Sequence, residues 1–320
     1  MVFVKSYFMK TLKNLCFIGC GKTGLAHAKV AKYLGSSIKF VYTRNFKSKN
    51  FKVFSKYFPR VQKLKNLKNL DRLNMDGIIV AIPWILNDLY IDKFFKNFKK
   101  PILFEKPIGY SNKKIIDKIK FPDNKYLALN RRFYENIIYI KKKIEVKNIS
   151  NVQVNISENF NSFKKRFSSL SPENVVFNTA IHVVDLLYFL FGKLRVLFKI
   201  GNLKKKDNNL IVILENESKI PIYLNITFNS PENNSIIIKT KDNKIYQLSP
   251  IENLKIFNKL TINIVNGQRK YQKRFKKEIN EDYKFKPGFL NQMKNFIYLK
   301  KEAKISNCTE TINLLKKIIK

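Results

Sequence analysis

Three glycines near the start of the chain have the spacing of a phosphate-binding loop, Gly19-x-Gly21-x-x-Gly24. They follow an apolar run and open a helical pattern, which is the context that makes this spacing specific. The first glycine allows a tight turn, the second lets a pyrophosphate approach the backbone, and the third lets helix and strand pack closely. Free N–H groups at the helix start, where Lys22 and Thr23 stand, would then hold the phosphates.

A P-loop is the competing interpretation, because Gly21-Lys22-Thr23 resembles the Gly-Lys-Thr ending of that motif. A P-loop needs a glycine five residues before Gly21, and Cys16 stands there. We therefore favour dinucleotide binding, and a purely structural turn stays open as the alternative.

The residues after the second predicted strand refine the identity of the dinucleotide. An Asp or Glu about 20 residues after the glycines would bind the ribose hydroxyls of NAD. This sequence has Thr43-Arg44-Asn45 instead. A hydroxyl and a guanidinium suit a 2′-phosphate, so the sequence favours NADP, with NAD as the alternative. Arg44 could also be one more surface cation.

A second reactive group, Glu105-Lys106-Pro107, follows a later strand, at the edge where open α/β sheets bind ligands. An ammonium fixed there could stabilise an alkoxide during hydride transfer. The hydroxyl proton must leave in the same reaction, and an imidazole titrates in the right range to accept it. Of the two histidines, His182 lies on a predicted apolar helix and is the candidate for this acid/base role. The alternative is that His182 is a hydrogen-bonded histidine of the core with no role in the reaction. For His27, after the glycine loop, we expect a packing role.

Short apolar strands alternate with helices through the first half of the chain. This rhythm indicates βαβ units and a parallel sheet, so we expect a Rossmann doubly wound domain over residues 1–130. The predicted strands are Leu15–Ile18, Ile38–Tyr42, Ile78–Ile82, Pro101–Phe104 and Tyr126–Leu129, with helices after the glycine loop, near 51–58 and near 87–98.

The second half, residues 131–320, has strands in direct succession with polar turns between them. That pattern predicts an α+β domain with a mostly antiparallel sheet and helices on one face. The strands are predicted at 152–156, 196–200, 210–214, 220–228, 235–240, 244–248 and 261–265, and the helices near 132–143, 175–191, 288–300 and 308–319.

Composition separates several classes of protein. Lys and Arg number 63 against 23 Asp and Glu, a net charge of +40, but the lysines are spread along the whole chain. The excess falls on residues with A/T-rich codons, so genome composition accounts for it without a specific nucleic-acid partner; a functional basic surface is the alternative.

No apolar run approaches the roughly 18–20 residues of a membrane span. Three cysteines match neither a disulfide framework nor a metal motif, and a cytoplasmic location is expected.

The order and spacing of these motifs resemble the glucose–fructose oxidoreductase/inositol dehydrogenase (Gfo/Idh/MocA) family. The resemblance covers essentially the whole chain. It is carried by the glycine loop, Ala81-Ile82-Pro83, Glu105-Lys106-Pro107, Asn130-Arg131-Arg132-Phe133, His182-x-x-Asp185 and Phe289-x-x-Gln292-x-x-x-Phe296-Ile297.

The resemblance implies an NAD(P)-dependent oxidoreductase acting on a sugar, cyclitol or sugar-nucleotide, with an open-faced second domain and a homodimeric or homotetrameric assembly. In such enzymes the lysine of the Glu-Lys-Pro motif bonds the reacting oxygen, and this role falls on Lys106. A histidine on a helix of the second domain is the general acid/base, and this role falls on His182. Asn178, Arg132 and Asp185 are expected to bind substrate. Contacts to the coenzyme are expected from Gly19, Gly21, Lys22, Thr23, Gly24, Thr43, Arg44, Ala81, Pro83, Glu105 and Lys106.

Two positions depart from the family pattern. Asn178 stands where many members have an Asp, one helical turn before the catalytic His, and Asn87 replaces a frequent His. An amide cannot stabilise an imidazolium as a carboxylate does. A catalytically silent dinucleotide-binding regulatory or scaffold protein of the same fold is therefore the alternative function.

Overall fold

The computed structural model describes residues 11–95, 98–109, 124–166, 170–204, 209–280, 284–300 and 308–319. Within them the helices are α1 (Lys22–Tyr33), α2 (Lys49–Tyr57), α3 (Asn87–Tyr90), α4 (Glu135–Lys143), α5 (Phe160–Arg166), α6 (Pro172–Phe191), α7 (Phe289–Ile297) and α8 (Thr309–Ile319). The strands are β1 (Asn14–Ile18), β2 (Ser37–Tyr42), β3 (Gln62–Lys63), β4 (Gly77–Val80), β5 (Ile102–Phe104), β6 (Lys125–Leu127), β7 (Ile149–Glu158), β8 (Leu194–Gly201), β9 (Leu210–Asn216), β10 (Pro221–Phe228), β11 (Ser235–Thr240), β12 (Ile245–Leu248), β13 (Asn253–Val265) and β14 (Gln268–Asn280).

The chain divides into two compact units. The first comprises Met1–Leu129 with Lys284–Thr309, and the second comprises Asn130–Tyr283 with Glu310–Lys320. The change of unit after Leu129 lies one residue from the boundary expected at 130. Helix α7 belongs to the first unit, however, whereas the sequence places it in the second domain.

The first unit is built on a six-stranded sheet in the order β3-β2-β1-β4-β5-β6, and every neighbouring pair is parallel. Strands β4 and β5 are buried along their whole length. Helices cover both faces of such a sheet, so its strands are continuous apolar runs rather than alternating ones. This strand order is that of the doubly wound dinucleotide-binding fold, and it confirms the predicted fold class.

The second unit contains an eight-stranded sheet in the order β14-β13-β12-β11-β7-β10-β9-β8. Every neighbouring pair is antiparallel except β7 and β10, which run parallel. On one face Val152, Val154 and Ile156 of β7 are buried, and α6 packs on that strand. Tyr223, on the other face of β10, is 46% exposed. The mostly antiparallel sheet with helices on one face is therefore confirmed.

The hairpin of β13 and β14 is larger than the sequence predicted. A strand was expected only at 261–265, whereas the structure pairs Asn253–Val265 with Gln268–Asn280. The turn is Asn266-Gly267, with φ of 50° and 76°, which is the usual signal for a tight hairpin. Strand β14 escaped prediction because six of its 13 residues are Lys or Arg and nearly all of its side chains are exposed, so it lacks a buried face.

The helix expected near 87–98 is replaced by three short pieces over residues 84–95, and residues 96 and 97 of the expected range lie outside the described residues. A 3-10 turn (Trp84–Leu86) leads into α3, and a π-helical turn (Ile91–Phe95) follows. Asn87 and Asp88 in α3 are buried polar residues, and both bind backbone groups of the segment after β5. These polar side chains thus face the interior and make tertiary contacts, and the segment does not form one regular amphipathic helix.

Helix α6 corrects the expectation that no apolar run approaches the length of a membrane span. An 18-residue window of this 20-residue helix has a mean hydropathy of 1.5, and 72% of that window is buried inside the protein. Ser171 caps the helix by accepting a hydrogen bond from Asn174 N, and the chain leaves the helix at Gly192. Length and hydropathy alone do not separate a membrane span from a core helix, and the burial of α6 identifies it as the core helix of the second unit.

Lys125 on β6 is a buried lysine, 1% exposed. Its ammonium donates to the carbonyl oxygens of Phe98 and Lys100 and to the side-chain oxygen of Asn124. Burial lowers the pKa of Lys125 from 10.5 to about 8, although the charge of Asp71 opposes this shift. The unfolded chain therefore binds this proton more tightly than the folded chain does.

We expect the free energy of unfolding to rise with pH between about 8 and 10.5, because folding no longer requires a buried charge there. Lys125→Met should remove the part of this pH dependence that comes from Lys125. The difference in free energy of unfolding between variant and wild type should therefore change between about pH 8 and pH 10.5. Lys99→Met removes an exposed lysine nearby and is the matched control. Urea denaturation at several pH values measures the effect; parallel curves for wild type and Lys125→Met would contradict it.

Candidate functional site

The predicted coenzyme residues of the first unit lie at one edge of the parallel sheet. The glycine loop follows β1, Thr43-Arg44 follows β2, Ala81-Ile82-Pro83 follows β4 and Glu105-Lys106 follows β5. Backbone hydrogen bonds join these ends: Gly19 N to Tyr42 O at 2.9 Å, Ala81 N to Ile18 O at 2.8 Å, and Glu105 N to Val80 O at 2.9 Å. The fold therefore gathers motifs that are separated by more than 80 residues in the sequence.

The three glycines of the loop differ in the space around them. A Cβ at Gly19 would lie 2.3 Å from Ala81 O, and Gly19 also has φ of 94°. A Cβ at Gly24 would lie 2.3 Å from Gly19 O, so α1 and the loop are in backbone contact. At Gly21, by contrast, a Cβ would meet no atom of the described residues within 4 Å. The loop is thus packed against backbone at Gly19 and Gly24, whereas the part of the chain that the structure describes leaves space at Gly21.

The start of α1 provides donors for an anion. Gly21 is the N-cap and supplies no side-chain acceptor, and the first turn contains no acidic residue. The first N–H groups of a helix have no intrahelical partner, and the helix dipole adds partial positive charge there. Lys22, exposed at the first position, adds a full positive charge. These groups fit the pyrophosphate of a dinucleotide.

The residues after β2 lie beside the glycine loop. Thr43 hydrogen-bonds the thiol of Cys20; burial raises the pKa of that thiol, and the hydrogen bond opposes the rise. Arg44 is exposed and lies near Tyr90. Burial and the neighbouring Tyr42 hydroxyl raise the pKa of Tyr90, and the charge of Arg44 opposes them. A guanidinium beside hydroxyl groups is a polar environment that fits a phosphate.

The Glu-Lys-Pro segment is held by side chains of α3. Asn87 donates from its amide nitrogen to Glu105 O at 2.7 Å and to Pro107 O at 2.8 Å. Asp88 accepts a hydrogen bond from Gly109 N at 2.6 Å. The backbone on both sides of Lys106 is therefore fixed. From the sequence, Asn87 was identified only as a departure from a family pattern. Its role in holding the backbone of Glu105 and Pro107 was not predicted.

The carboxylate of Glu105 is held by His27, which the sequence had placed in a packing role. His27 Nε2 donates to Glu105 Oε1 at 2.7 Å, and the imidazole is fully buried. Burial alone would raise the pKa of Glu105. The hydrogen bond and charge of His27, with the charges of Lys286 and Lys106, outweigh this and hold the pKa below its usual value. The glycine-loop helix and the Glu-Lys-Pro segment are thus directly connected.

In the second unit, Arg132 and Asp185 form a buried ion pair. Arg132 Nε donates to Asp185 Oδ2 at 2.6 Å, its Nη2 donates to Oδ1, and Thr311 Oγ1 lies 3.3 Å from Oδ1. Burial raises the pKa of Asp185, and Arg132 and Thr311 oppose the rise. The pair joins the turn at 130–133 to α6, so both side chains are engaged within the unit. Their assignment as substrate-binding residues stays a prediction.

His182 and Asn178 lie one turn apart on α6. Residues four apart in a helix share a face, so the two side chains are neighbours. Asn178 is 8% exposed and His182 is partly exposed. The helix therefore presents an amide and an imidazole together, in the second unit, whereas Lys106 belongs to the first.

No protein-family model and no curated protein matches the chain. Solved structures do match it over nearly its full length. A dehydrogenase (MviM) from Clostridium difficile is 17% identical, with a TM-score of 0.73, and the match covers 96% of this chain and 98% of that one. The UDP-N-acetylglucosamine 3-dehydrogenase GnnA from Acidithiobacillus ferrooxidans is 13% identical, with a TM-score of 0.73 and coverage of 95% and 96%.

An oxidoreductase from Agrobacterium radiobacter, solved in complex with NAD+, L-tartaric acid and magnesium, is 15% identical, with a TM-score of 0.70 and coverage of 96% and 95%. At such identities the similarity establishes the fold. The chain has the two-domain fold of the Gfo/Idh/MocA-type dehydrogenases, as the sequence motifs predicted.

The open space at Gly21 leads to a specific prediction. Gly21→Ala should cost at most about 1 kcal/mol of stability, because its Cβ meets no neighbour among the described residues. It should nevertheless weaken NADPH binding by about tenfold or more, because the Cβ enters the space for the pyrophosphate. Gly24→Ala is the comparison, since its Cβ must displace backbone, and we expect a loss of about 3 kcal/mol. Urea denaturation and NADPH fluorescence titration measure both quantities; unchanged affinity in Gly21→Ala would contradict the phosphate site.

Proposed function

We propose that this protein is an NAD(P)-dependent oxidoreductase that transfers a hydride between the nicotinamide and a hydroxyl or keto carbon of a sugar, cyclitol or sugar-nucleotide. The observation that carries the proposal is the arrangement at one edge of the parallel sheet. There, a loop suited to a pyrophosphate lies beside a lysine whose backbone is braced on both sides. The names of the structurally similar dehydrogenases support the same class of reaction.

The first N–H groups of α1, with Lys22 and Thr23, would hold the pyrophosphate. Thr43 and Arg44 would hold the ribose end, and the Arg44 guanidinium favours the 2′-phosphate of NADP. NAD is the alternative, because the Agrobacterium oxidoreductase was solved with NAD+. Ala81, Pro83 and Glu105 would line the remaining part of the site, since they follow β4 and β5 at the same edge.

The coenzyme, when bound, supplies the hydride acceptor or donor. Lys106 would bond the reacting oxygen, and its ammonium would stabilise the negative charge that develops there. Glu105, whose pKa is held below its usual value, keeps a carboxylate charge next to that ammonium. His182 would act as general acid/base, and Asn178 with Arg132 and Asp185 would orient the substrate.

We also propose a cytoplasmic location, a homodimeric or homotetrameric state, and no specific nucleic-acid partner or membrane association. Light scattering after size-exclusion chromatography measures the oligomeric state. A catalytically silent dinucleotide-binding regulatory or scaffold protein is the second candidate, and Asn178 favours it because an amide cannot balance the charge of an imidazolium. Coenzyme binding without turnover of any sugar, cyclitol or sugar-nucleotide in a broad panel would support that candidate.

Thermal unfolding with NADP, NADPH, NAD and NADH tests coenzyme binding directly. A ligand present at about 100 times its Kd stabilises the folded state by about 2.7 kcal/mol, which gives a clear rise in Tm. We expect larger shifts with NADP and NADPH than with NAD and NADH. Arg44→Ala should remove this preference while leaving the NADH shift unchanged. The absence of a shift with all four would refute the proposed function.

Lys106→Ala tests the chemistry separately from binding. We expect turnover to fall by about a hundredfold or more, because a group that stabilises transition-state charge is lost. The affinity for NADPH should remain within a few-fold, because the phosphate-binding groups belong to other residues. Absorbance at 340 nm follows turnover on whichever panel substrate the wild type accepts. Lys100→Ala, at a partly exposed lysine near the start of β5, is the control; equal activity of Lys106→Ala and wild type would reject this role.

A further inference from the structure

We propose that His27 is a positioning residue, which holds the Glu105 carboxylate so that the neighbouring Lys106 has a fixed place relative to the pyrophosphate loop. The proposal rests on the proposed function, because it assigns the purpose of a contact within the same site. It goes beyond that function by giving a role to a residue that does not itself touch coenzyme or substrate.

The contact is short and directional, and its imidazole is fully buried. An ionised carboxylate can only accept hydrogen bonds, so His27 Nε2 must carry the proton in the 2.7 Å contact with Glu105 Oε1. Hydrogen bonds to charged groups are about twice as strong as those between neutral groups. The imidazole is also stacked on Phe289, with ring centroids 4.3 Å apart and planes 11° apart. The ring orientation is therefore fixed from a second side, and it directs Nε2 to the carboxylate.

The contact joins two parts of the proposed site that are 78 residues apart in the chain. His27 lies three residues after Gly24 on α1, whose first turn would bind the pyrophosphate. Glu105 immediately precedes Lys106, and its backbone is already fixed by Val80 and Asn87. Helix α1 therefore sets the position of the phosphate donors and, through His27, the position of the segment that carries the ammonium.

A packing role would require only a ring of this size against Phe289, and two variants separate the possibilities. His27→Phe keeps an aromatic ring and removes the hydrogen bond. His27→Gln loses the ring and keeps an N–H donor at about the position of Nε2. Positioning predicts that His27→Gln resembles the wild type more closely, and packing predicts that His27→Phe does.

The measurement uses NADPH itself, so it needs no identified substrate. We compare the Kd and the emission of bound NADPH for wild type, His27→Phe, His27→Gln and Lys106→Ala. We expect His27→Phe to shift the emission in the same direction as Lys106→Ala, with a Kd within about threefold of wild type, since the phosphate donors remain. His27→Gln should return the emission towards the wild-type value. In a Glu105→Ala background, His27→Phe should have no further effect on emission, because contacting residues are not additive.

Wild-type emission from bound NADPH in His27→Phe overturns the proposal, and so does an effect of His27→Phe that persists in the Glu105→Ala background. A Kd raised tenfold would place His27 in support of the loop instead of Lys106, and it overturns the proposal as well. If His27→Phe does not fold, Glu105→Ala alone removes the same contact, and emission unlike that of Lys106→Ala then overturns it. Failure of the proposed function is distinct: the wild type would not bind coenzyme, or Lys106→Ala would leave the emission unchanged.

Discussion

The backbone contact between the glycine loop and α1 is the constraint on which the first unit depends. The carbonyl oxygens of Ala81 and Gly19 occupy the space where Gly19 and Gly24 would carry a Cβ. Because of this close approach, α1 begins directly at the carboxyl edge of the sheet and directs its unbonded N–H groups there. The same approach brings His27, one turn further along the helix, to the end of β5. One steric requirement thus places both the anion donors and the partner of Glu105.

Local patterns predicted most of the framework. The strand at Ser235–Thr240 was predicted with its observed bounds, and the glycine loop was placed between its strand and helix, because apolar runs and glycine spacing are properties of neighbouring residues. The contacts of His27 with Glu105 and of Asn87 with Pro107 were not predictable in this way. Each joins residues that approach only after the sheet has formed, and a histidine or an asparagine on a helix has the same local signal whether it packs, braces or reacts.

The basic composition of the chain obscured other features. Strand β14 was missed because its lysines and arginines gave it the appearance of a charged surface segment, although Asn266-Gly267 marks the turn before it. The interior, however, follows the usual rules for buried charge. Lys125 is surrounded by carbonyl oxygens and Arg132 is paired with Asp185, so each of these buried cations has its acceptors. The net charge of the chain therefore does not indicate which residues form the candidate site.

The positions of the contacts made by the carboxylates of Glu105 and Asp185 are informative for the same reason. A buried ion pair contributes little net stability, since desolvation offsets the attraction, and a packed apolar pair often does as well. In the first unit the contact of His27 with Glu105 lies next to Lys106. In the second, the pair of Arg132 and Asp185 is anchored on α6, which carries His182. In each unit a directional contact with a desolvation penalty thus lies close in the chain to the candidate reactive side chain. Such a contact fixes the position of that side chain more than it adds to the free energy of unfolding.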